Sequence, residues 1–183
     1  MNCHHLFPQP LWHDHLTVDN DELSRILHSM RDADPNGSQV SNIMGYQSSK
    51  FDVVPMIHDD IISRASIIMK EYCTKTPVIT DAWFNINGHG ATNAQHHHPG
   101  AFLSGVYYVK ASQQSGAICF HRDASEAFVI QSFSDHLNDL TTPIMTLPVR
   151  EGLLLLFPSW LTHSVQHNTD QYDRISIAFN ISI

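Results

Sequence analysis

The sequence has few cysteines, few basic residues and no long apolar run, and each scarcity excludes a class of protein. Its three cysteines, Cys3, Cys73 and Cys119, are odd in number and widely spaced. They therefore form neither a disulfide framework nor a C-x-x-C metal site, and this usage suits a reducing, cytoplasmic setting. Ten Lys and Arg against 18 Asp and Glu give a formal net charge of −8. That balance disfavours nucleic acid and anionic membranes as partners.

No apolar segment approaches the roughly 20 residues of a membrane span. The N-terminal residues also lack the basic and then apolar pattern of a signal peptide. This segment contains four histidines interrupted by Pro and Trp, which favours a leading segment over a metal site: His4, His5, His13 and His15. The chain has 183 residues, of which 42% are hydrophobic and 15% charged. We therefore expect a single globular domain over residues 1–183.

The first part of the chain, residues 1–76, has the pattern of helical support. One amphipathic helix is predicted to begin near Asp21 and to end before the turn at 34–37. A second helix is predicted over about 58–73, with an apolar stripe formed by Ile61, Ala65, Ile68 and Tyr72. Both helices are expected to pack against a sheet and to carry no chemistry.

From residue 77 to residue 183 the helical period gives way to short apolar runs separated by turn residues. Eight strands are predicted: 78–86, 94–98, 102–110, 116–121, 143–148, 153–157, 162–167 and 174–182. This pattern predicts a mainly β fold, a double-stranded β-helix (jelly roll, cupin-like) with the two N-terminal helices packed on it. Residues 122–141 are the least strand-like and are interpreted as an insertion that can act as a lid or substrate wall.

Three consecutive histidines at 96–98 precede a Pro-Gly turn and the predicted strand 102–110. Alternate side chains of an extended chain face the same way, so His96 and His98 form a two-pronged metal arm. His163, which follows another apolar run, is the candidate for a third ligand. Because the chain holds 14 histidines, a polar loop at 96–98 and a surface or core role for His163 are the alternatives.

The last predicted strand places Arg174 and Ser176 on one face. A tight turn at 167–170 between paired strands would return Arg174 to the neighbourhood of His163. Arginine offers a planar, permanently charged fork for a carboxylate, and Ser176 can add a hydrogen bond. Iron held by few protein ligands keeps positions free for oxygen and a chelating cosubstrate. The clamp would then hold the far carboxylate of a dicarboxylic keto acid, whereas a half-buried strand with a polar outer face is the alternative.

The sequence resembles the 2-oxoglutarate/Fe(II)-dependent oxygenases, close to those related to prolyl hydroxylases of microbes and viruses. The resembling motifs are NINGHGATNAQHHHPGAFLSGVYYVK, GAICF, EGLLLLFPSWLTHSVQHN and RISIAFNI, which together span about 81–183, and the opening LFPQPLW. The resemblance implies Fe(II), with 2-oxoglutarate and O2 as cosubstrates. It also implies hydroxylation of a small-molecule or peptidyl substrate while 2-oxoglutarate is decarboxylated to succinate. His96 and His163 match the family's metal histidines, Arg174 its 2-oxoglutarate-binding residue and Ser176 the R-x-S partner.

One position departs from that family pattern. Many members have H-x-D where this chain has His96-His97-His98. Three arrangements stay open: His98 is itself the third ligand, His98 stands beside a position filled by water or chloride, or a carboxylate arrives from elsewhere. Asp123 is the nearest candidate for such a carboxylate.

Further candidates for contacts with the cosubstrate or substrate are Asn85, Tyr107 and Tyr108, with strand packing and a strand-end amide as the structural alternatives. Trp160 is expected to anchor a turn. Two other functions are weighed against the oxygenase. A metal-binding cupin of different chemistry has no general need for the Arg174–Ser176 clamp, and a non-enzymatic jelly-roll binding protein does not require converging histidines. A homodimer is the default expectation for assembly.

Overall fold

The structure is a computed structural model, and it describes residues 2, 4, 6–53 and 55–183. Cys3 and His5, which entered the predictions above, lie outside the described residues. No helix in the described part of the chain is long and apolar enough to cross a membrane.

Strands dominate the second half of the chain and helices the first. In chain order the elements are β1 (Trp12–His15), α1 (Asn20–Ala33), β2 (Asn42–Ile43), β3 (Tyr46–Gln47), α2 (Pro55–Met69), β4 (Val78–Asn87), β5 (Thr92–His96), β6 (Leu103–Lys110), β7 (Ile118–His121), α3 (Ala124–Phe133), β8 (Ile144–Leu147), β9 (Leu153–Pro158), β10 (His163–Val165) and β11 (Arg174–Ser182).

The strands form two antiparallel sheets that face each other. The larger sheet has the order β1-β9-β6-β11-β4-β3, and the smaller has the order β2-β5-β10-β7-β8. The predicted mainly β class is confirmed, and each of the eight predicted strands is present with its ends within two residues of the expected positions. The two-residue strands β2 and β3, the edge strand β1 and helix α3 were not predicted, because these segments lack a sustained apolar period.

Helices α1 and α2 cover the outer face of the larger sheet. Helix α1 begins where predicted, since the Asp19 carboxylate accepts a hydrogen bond from the Glu22 amide at 2.9 Å and caps the first turn. Leu23, Leu27 and Ile61 are fully buried against the sheet. This layer is one of two apolar cores, and the other lies between the sheets.

The second helix lies earlier in the chain than predicted. Helix α2 begins at Pro55 and ends at Met69, because proline is favoured in the first turn of a helix. Beyond Met69 the chain tightens into a turn in which the Tyr72 amide donates to the Met69 carbonyl at 2.9 Å. Ile61, Ala65 and Ile68 are buried as predicted, but Tyr72 is 52% exposed and does not belong to the stripe.

Candidate functional site

The histidines at 96, 98 and 163 converge at one point between the two sheets. His163 lies opposite His96 in the antiparallel pairing of β10 with β5, and their ring centroids are 4.4 Å apart. The chain continues from β5 to His98, whose amide donates to the Ser159 carbonyl at 2.9 Å. The ring centroid of His98 lies 5.0 Å from that of His96 and 5.1 Å from that of His163. One potential ligand nitrogen from each ring lies within 4.8 Å of the others.

In two of these rings a hydrogen bond fixes the tautomer that leaves Nε2 free to bind a metal. The Nδ1 atom of His96 lies 2.7 Å from the Ala94 carbonyl, and the Nδ1 atom of His163 lies 2.9 Å from the Leu161 carbonyl. A carbonyl oxygen can only accept, so each Nδ1 carries the proton and each Nε2 keeps a lone pair. The ring of His98 instead packs against the indole of Trp83, with centroids 5.4 Å apart.

The electrostatics of the cluster keep all three imidazoles neutral. Burial, together with the neighbouring histidines, lowers the pKa of His163 to about 3 and that of His98 to about 4. Burial also lowers the pKa of His96. Neutral imidazole is the form that coordinates metals. The three residues therefore fit a divalent cation, and no other group of this kind occurs among the described residues.

Strand β11 has two chemically distinct faces, as its alternation predicted. Ile175, Ile177, Phe179 and Ile181 point into the core beneath the helices. Arg174, Ser176 and Ala178 line a cavity between the sheets that holds about 500 Å³, counting its open mouth. The same strand therefore contributes to the core with one face and to the site with the other.

Arg174 is a buried cation with one donor left over. Its side chain is 1% exposed, and its Nη1 donates to the carbonyls of Ser115 and of Gln166, the latter at 3.0 Å. Its Nη2 has no hydrogen-bond partner in the described structure, and none of the described acidic side chains forms an ion pair with it. Burial lowers the pKa of Arg174, but a guanidinium stays charged in proteins. A buried charge and an unpaired donor in a cavity fit an incoming carboxylate.

A row of polar side chains crosses the larger sheet next to Arg174. Ser176 pairs with Asn85 of β4 on one side and with Tyr108 of β6 on the other, and all three line the cavity. The Oδ1 atom of Asn85 is buried without a partner among the described residues. Burial raises the pKa of Tyr108, so its hydroxyl stays protonated and can donate. The row therefore adds hydrogen-bonding groups around the free end of Arg174.

The distance between the two halves of the site follows from strand geometry. Gln166, which holds Arg174, comes three residues after His163, and an extended chain advances about 10 Å over three residues. The cavity wall between them is apolar and formed by Val106, Ile118, Phe157 and Val165. The cavity thus has a cluster of neutral histidines at one level and a cationic fork at another.

Tyr107, predicted to contact the cosubstrate, faces away from the cavity. Its ring belongs to the core beneath the helices, and its hydroxyl donates to Asn20 at 2.8 Å. Tyr108 lines the cavity instead. Every residue of β6 except Lys110 is buried, so the sequence showed no alternation by which to choose between the two tyrosines. The structure corrects this prediction.

Asp123 and Trp160 have structural contacts away from the histidines. The Asp123 carboxylate accepts hydrogen bonds from the amides of Ser125 and Glu126, which caps helix α3, and Asp123 is not part of the histidine group. Trp160 is 53% exposed and donates to Gln9 at 3.0 Å. Trp83, in contrast, lines the cavity. It was not among the predicted site residues, although it lies two residues before Asn85 and so on the same face of the predicted strand.

Comparisons with known proteins place these features in a family. A family model described as "Putative 2OG-Fe(II) oxygenase" matches residues 81–180. The comparison with curated proteins returned no match. Among solved structures, a prolyl-4-hydroxylase from Pseudomonas putida is 13% identical, with a TM-score of 0.63, over 96% of this chain and 94% of that one.

Two further solved structures have the same fold. The non-heme alpha-ketoglutarate-dependent epimerase SnoN from nogalamycin biosynthesis is 14% identical, with a TM-score of 0.66, over 95% of this chain and 76% of that one. The viral collagen prolyl hydroxylase from Paramecium bursaria Chlorella virus-1, solved with 2-oxoglutarate, is 11% identical, with a TM-score of 0.56, over 94% of this chain and 96% of that one.

These likenesses confirm the predicted double-stranded β-helix. The family match includes most of β4, strands β5 to β10 and most of β11, and with them the three histidines, Arg174 and Ser176. The chain belongs to the 2OG-Fe(II) oxygenase family, whose enzymes depend on Fe(II) and 2-oxoglutarate.

Proposed function

We propose that this enzyme hydroxylates a small-molecule or peptidyl substrate at an iron held by His96, His98 and His163. The supporting observation is the pairing of three neutral imidazoles, within 4.8 Å of one another, with a buried, unpaired guanidinium in the same cavity. The reaction balances as substrate C–H, O2 and 2-oxoglutarate giving substrate C–OH, succinate and CO2.

Arg174 is the proposed anchor of 2-oxoglutarate. Its free Nη2 donates to the far carboxylate, and the hydroxyls of Ser176 and Tyr108 donate from the neighbouring row. The amide of Asn85 is a third contact in that row. Its oxygen is unpaired, so a half-turn of the amide would present its NH2 group to the same carboxylate.

The chain contributes binding, orientation and exclusion of water. When bound, the iron and 2-oxoglutarate supply the oxidising chemistry with O2. The hydrogen bonds from Nδ1 to main-chain carbonyls hold His96 and His163 in one orientation. The apolar wall formed by Val106, Ile118 and Phe157 keeps bulk water from the space between the histidines and Arg174.

Location and assembly are further proposals. The odd number and wide spacing of the cysteines favour a reducing, cytoplasmic setting, which fractionation of the native host tests. The net charge of −8 argues against a nucleic-acid partner. A homodimer is the proposed assembly, and analytical ultracentrifugation of the purified chain tests it.

The test of the proposed function is succinate formation by protein purified without oxygen. Fe(II) and 2-oxoglutarate are added first, their binding is measured by equilibrium dialysis, and O2 is then admitted. We expect both to bind and slow, iron-dependent release of succinate, which His163→Ala abolishes. His97→Ala is the matched control, because His97 is exposed and neighbours the cluster without belonging to it. Failure of the wild-type protein to bind either iron or 2-oxoglutarate would overturn the proposal.

A further inference from the structure

One side of the site is not used by the metal or by 2-oxoglutarate. On the larger sheet, successive rows of residues on the face that carries the cavity lead away from Arg174. The rows of Asn85 with Ser176 and of Trp83 with Ala178 line the cavity, and the next row on the same face pairs Asp81 with Asn180 just beyond the cavity lining. Asp81 therefore lies two residues beyond Trp83 on the same face of β4, about 7 Å farther from Arg174.

The row of Trp83 marks the level of the histidines. The Trp83 indole packs against His98, with ring centroids 5.4 Å apart. Asp81 lies two residues before Trp83 on the same face of β4, so it occupies the next row along that face. Asp81 thus lies beyond the histidines when viewed from Arg174, where the second reactant of the cavity would lie.

Asp81 already holds a cation. Lys50 forms an ion pair with it, and the lysine side chain is 75% exposed while that of Asp81 is 28% exposed. Main-chain hydrogen bonds hold the segment that carries Lys50 along the edge of β4, from the Ser48 amide to the Phe84 carbonyl at 2.9 Å and from the Phe51 amide to the Ala82 carbonyl at 3.0 Å. The lysine is therefore positioned by its backbone, and only its long side chain is free to move.

We propose that Asp81 and Trp83 form a substrate subsite for an ammonium or guanidinium group, and that Lys50 occupies it until the substrate arrives. This inference rests on the proposed function. A carboxylate beside an indole ring is a favourable pair for a cation, through an ion pair and a cation–π contact. An exposed lysine pair contributes little to stability, so an incoming cation displaces Lys50 readily. The acidic balance of the chain also attracts cationic substrates.

Binding at this subsite would determine which carbon of the substrate reacts. With its cationic group on Asp81, the substrate extends one row toward Trp83 and His98, so a carbon a few bonds from the charge comes to the histidine level. The enzyme would therefore favour amines and guanidines, free or as lysine and arginine side chains of a peptide, over acids and neutral analogues.

The test compares cationic peptides with an uncharged analogue. Enzyme reconstituted with Fe(II) and 2-oxoglutarate is given acetylated Ala-Lys-Ala amide or acetylated Ala-Arg-Ala amide, with acetylated Ala-norleucine-Ala amide as the uncharged control. Probe affinity is measured without oxygen by calorimetry, and stimulation of succinate release is measured with oxygen. We expect at least one cationic probe to bind about 10- to 100-fold more tightly than its norleucine counterpart, the range for a hydrogen bond to a charged group.

Two variants then shift that preference in opposite directions. Asp81→Asn should remove it, and Lys50→Ala should strengthen binding of the cationic probe several-fold because the internal competitor is gone. Asp59→Asn, a fully exposed carboxylate on α2, is the control that should change neither. Equal binding of charged and uncharged probes, or an unchanged preference in Asp81→Asn or Lys50→Ala, overturns the inference. Iron and 2-oxoglutarate binding by the wild-type protein is scored separately, so a failure of the proposed function is recognised before any probe is added.

Discussion

His163 of β10 lies directly opposite His96 of β5, with their ring centroids 4.4 Å apart. Each of the two rings is anchored by a hydrogen bond from Nδ1 to a main-chain carbonyl two residues before it. The pairing of β10 with β5 therefore fixes the positions of these two rings, and the two hydrogen bonds fix their tautomers. His98 lies beyond the end of β5 and is positioned by its main-chain amide and by Trp83.

His163→Ala should abolish metal binding because it removes one member of the anchored pair. Changes to groups that merely support a ligand weaken metal binding by about 10- to 100-fold, so loss of a ligand should weaken it by more than about 100-fold. Titration with Co(II), followed by its visible absorption, measures this. His97→Ala should bind Co(II) like the wild-type protein. A His163→Ala protein that binds with native affinity would show that His163 is not a ligand.

His98→Ala separates two of the three arrangements left open by the H-x-H motif. If His98 is a ligand, the variant should lose metal affinity to the same extent as His96→Ala. If water or chloride fills the third position, the affinity should fall by only about 10-fold, as for a supporting group. Inductively coupled plasma analysis after dialysis against Fe(II) separates the two results.

Asp123→Ala addresses the third arrangement. The Asp123 carboxylate caps α3 by accepting hydrogen bonds from the amides of Ser125 and Glu126, so its loss should destabilise that helix. Metal content should not change. Hydrogen exchange within α3 reports the first effect and metal analysis the second, and a loss of bound iron would reinstate Asp123 as a ligand.

Arg174→Ala should raise the concentration of 2-oxoglutarate that the enzyme requires. A hydrogen bond to a charged group contributes about 1.5–3 kcal/mol, which corresponds to a loss of roughly 10- to 100-fold in affinity. The change also frees the carbonyls of Ser115 and Gln166, so a melting curve must show that the variant is folded at the assay temperature. A folded variant with normal 2-oxoglutarate dependence would contradict the clamp.

The adjacent tyrosines provide a matched pair. Tyr108→Phe removes a hydroxyl from the cavity and should weaken 2-oxoglutarate binding about 10-fold or more, the effect of one hydrogen bond to a charged group. Tyr107→Phe removes the hydrogen bond to Asn20 and should lower the free energy of unfolding by about 1 kcal/mol. Equilibrium dialysis and urea denaturation measure the two effects. The opposite assignment of effects would restore Tyr107 to the site.

Much of the fold could be predicted because the strands of the second half are short and apolar and are bounded by turn residues. The faces of β11 were also predictable, since isoleucine and phenylalanine alternate there with polar residues. Strand β6 gave no such information, because both of its faces are buried, and the choice between Tyr107 and Tyr108 failed for that reason. Burial on both faces removes the period of two that identifies a cavity-facing residue.

Other features of the site depend on contacts between distant parts of the chain. Sequence spacing suggested that His96, His98 and His163 converge, but only strand register places His163 opposite His96. The pairing of Lys50 with Asp81 depends on a segment without regular structure that follows the edge of β4. Helix α3 has no buried residue, so it left no apolar stripe to be recognised in the sequence.

The two faces of β11 have a consequence for how activity can be lost. Side chains alternate with a period of two, so a shift of one residue in its pairing with β4 and β6 would bury Arg174 and Ser176 among the isoleucines and turn Ile175 and Ile177 into the cavity. A slip of one residue therefore damages the core and the site together. Chains that misfold in this way should be inactive and not partly active.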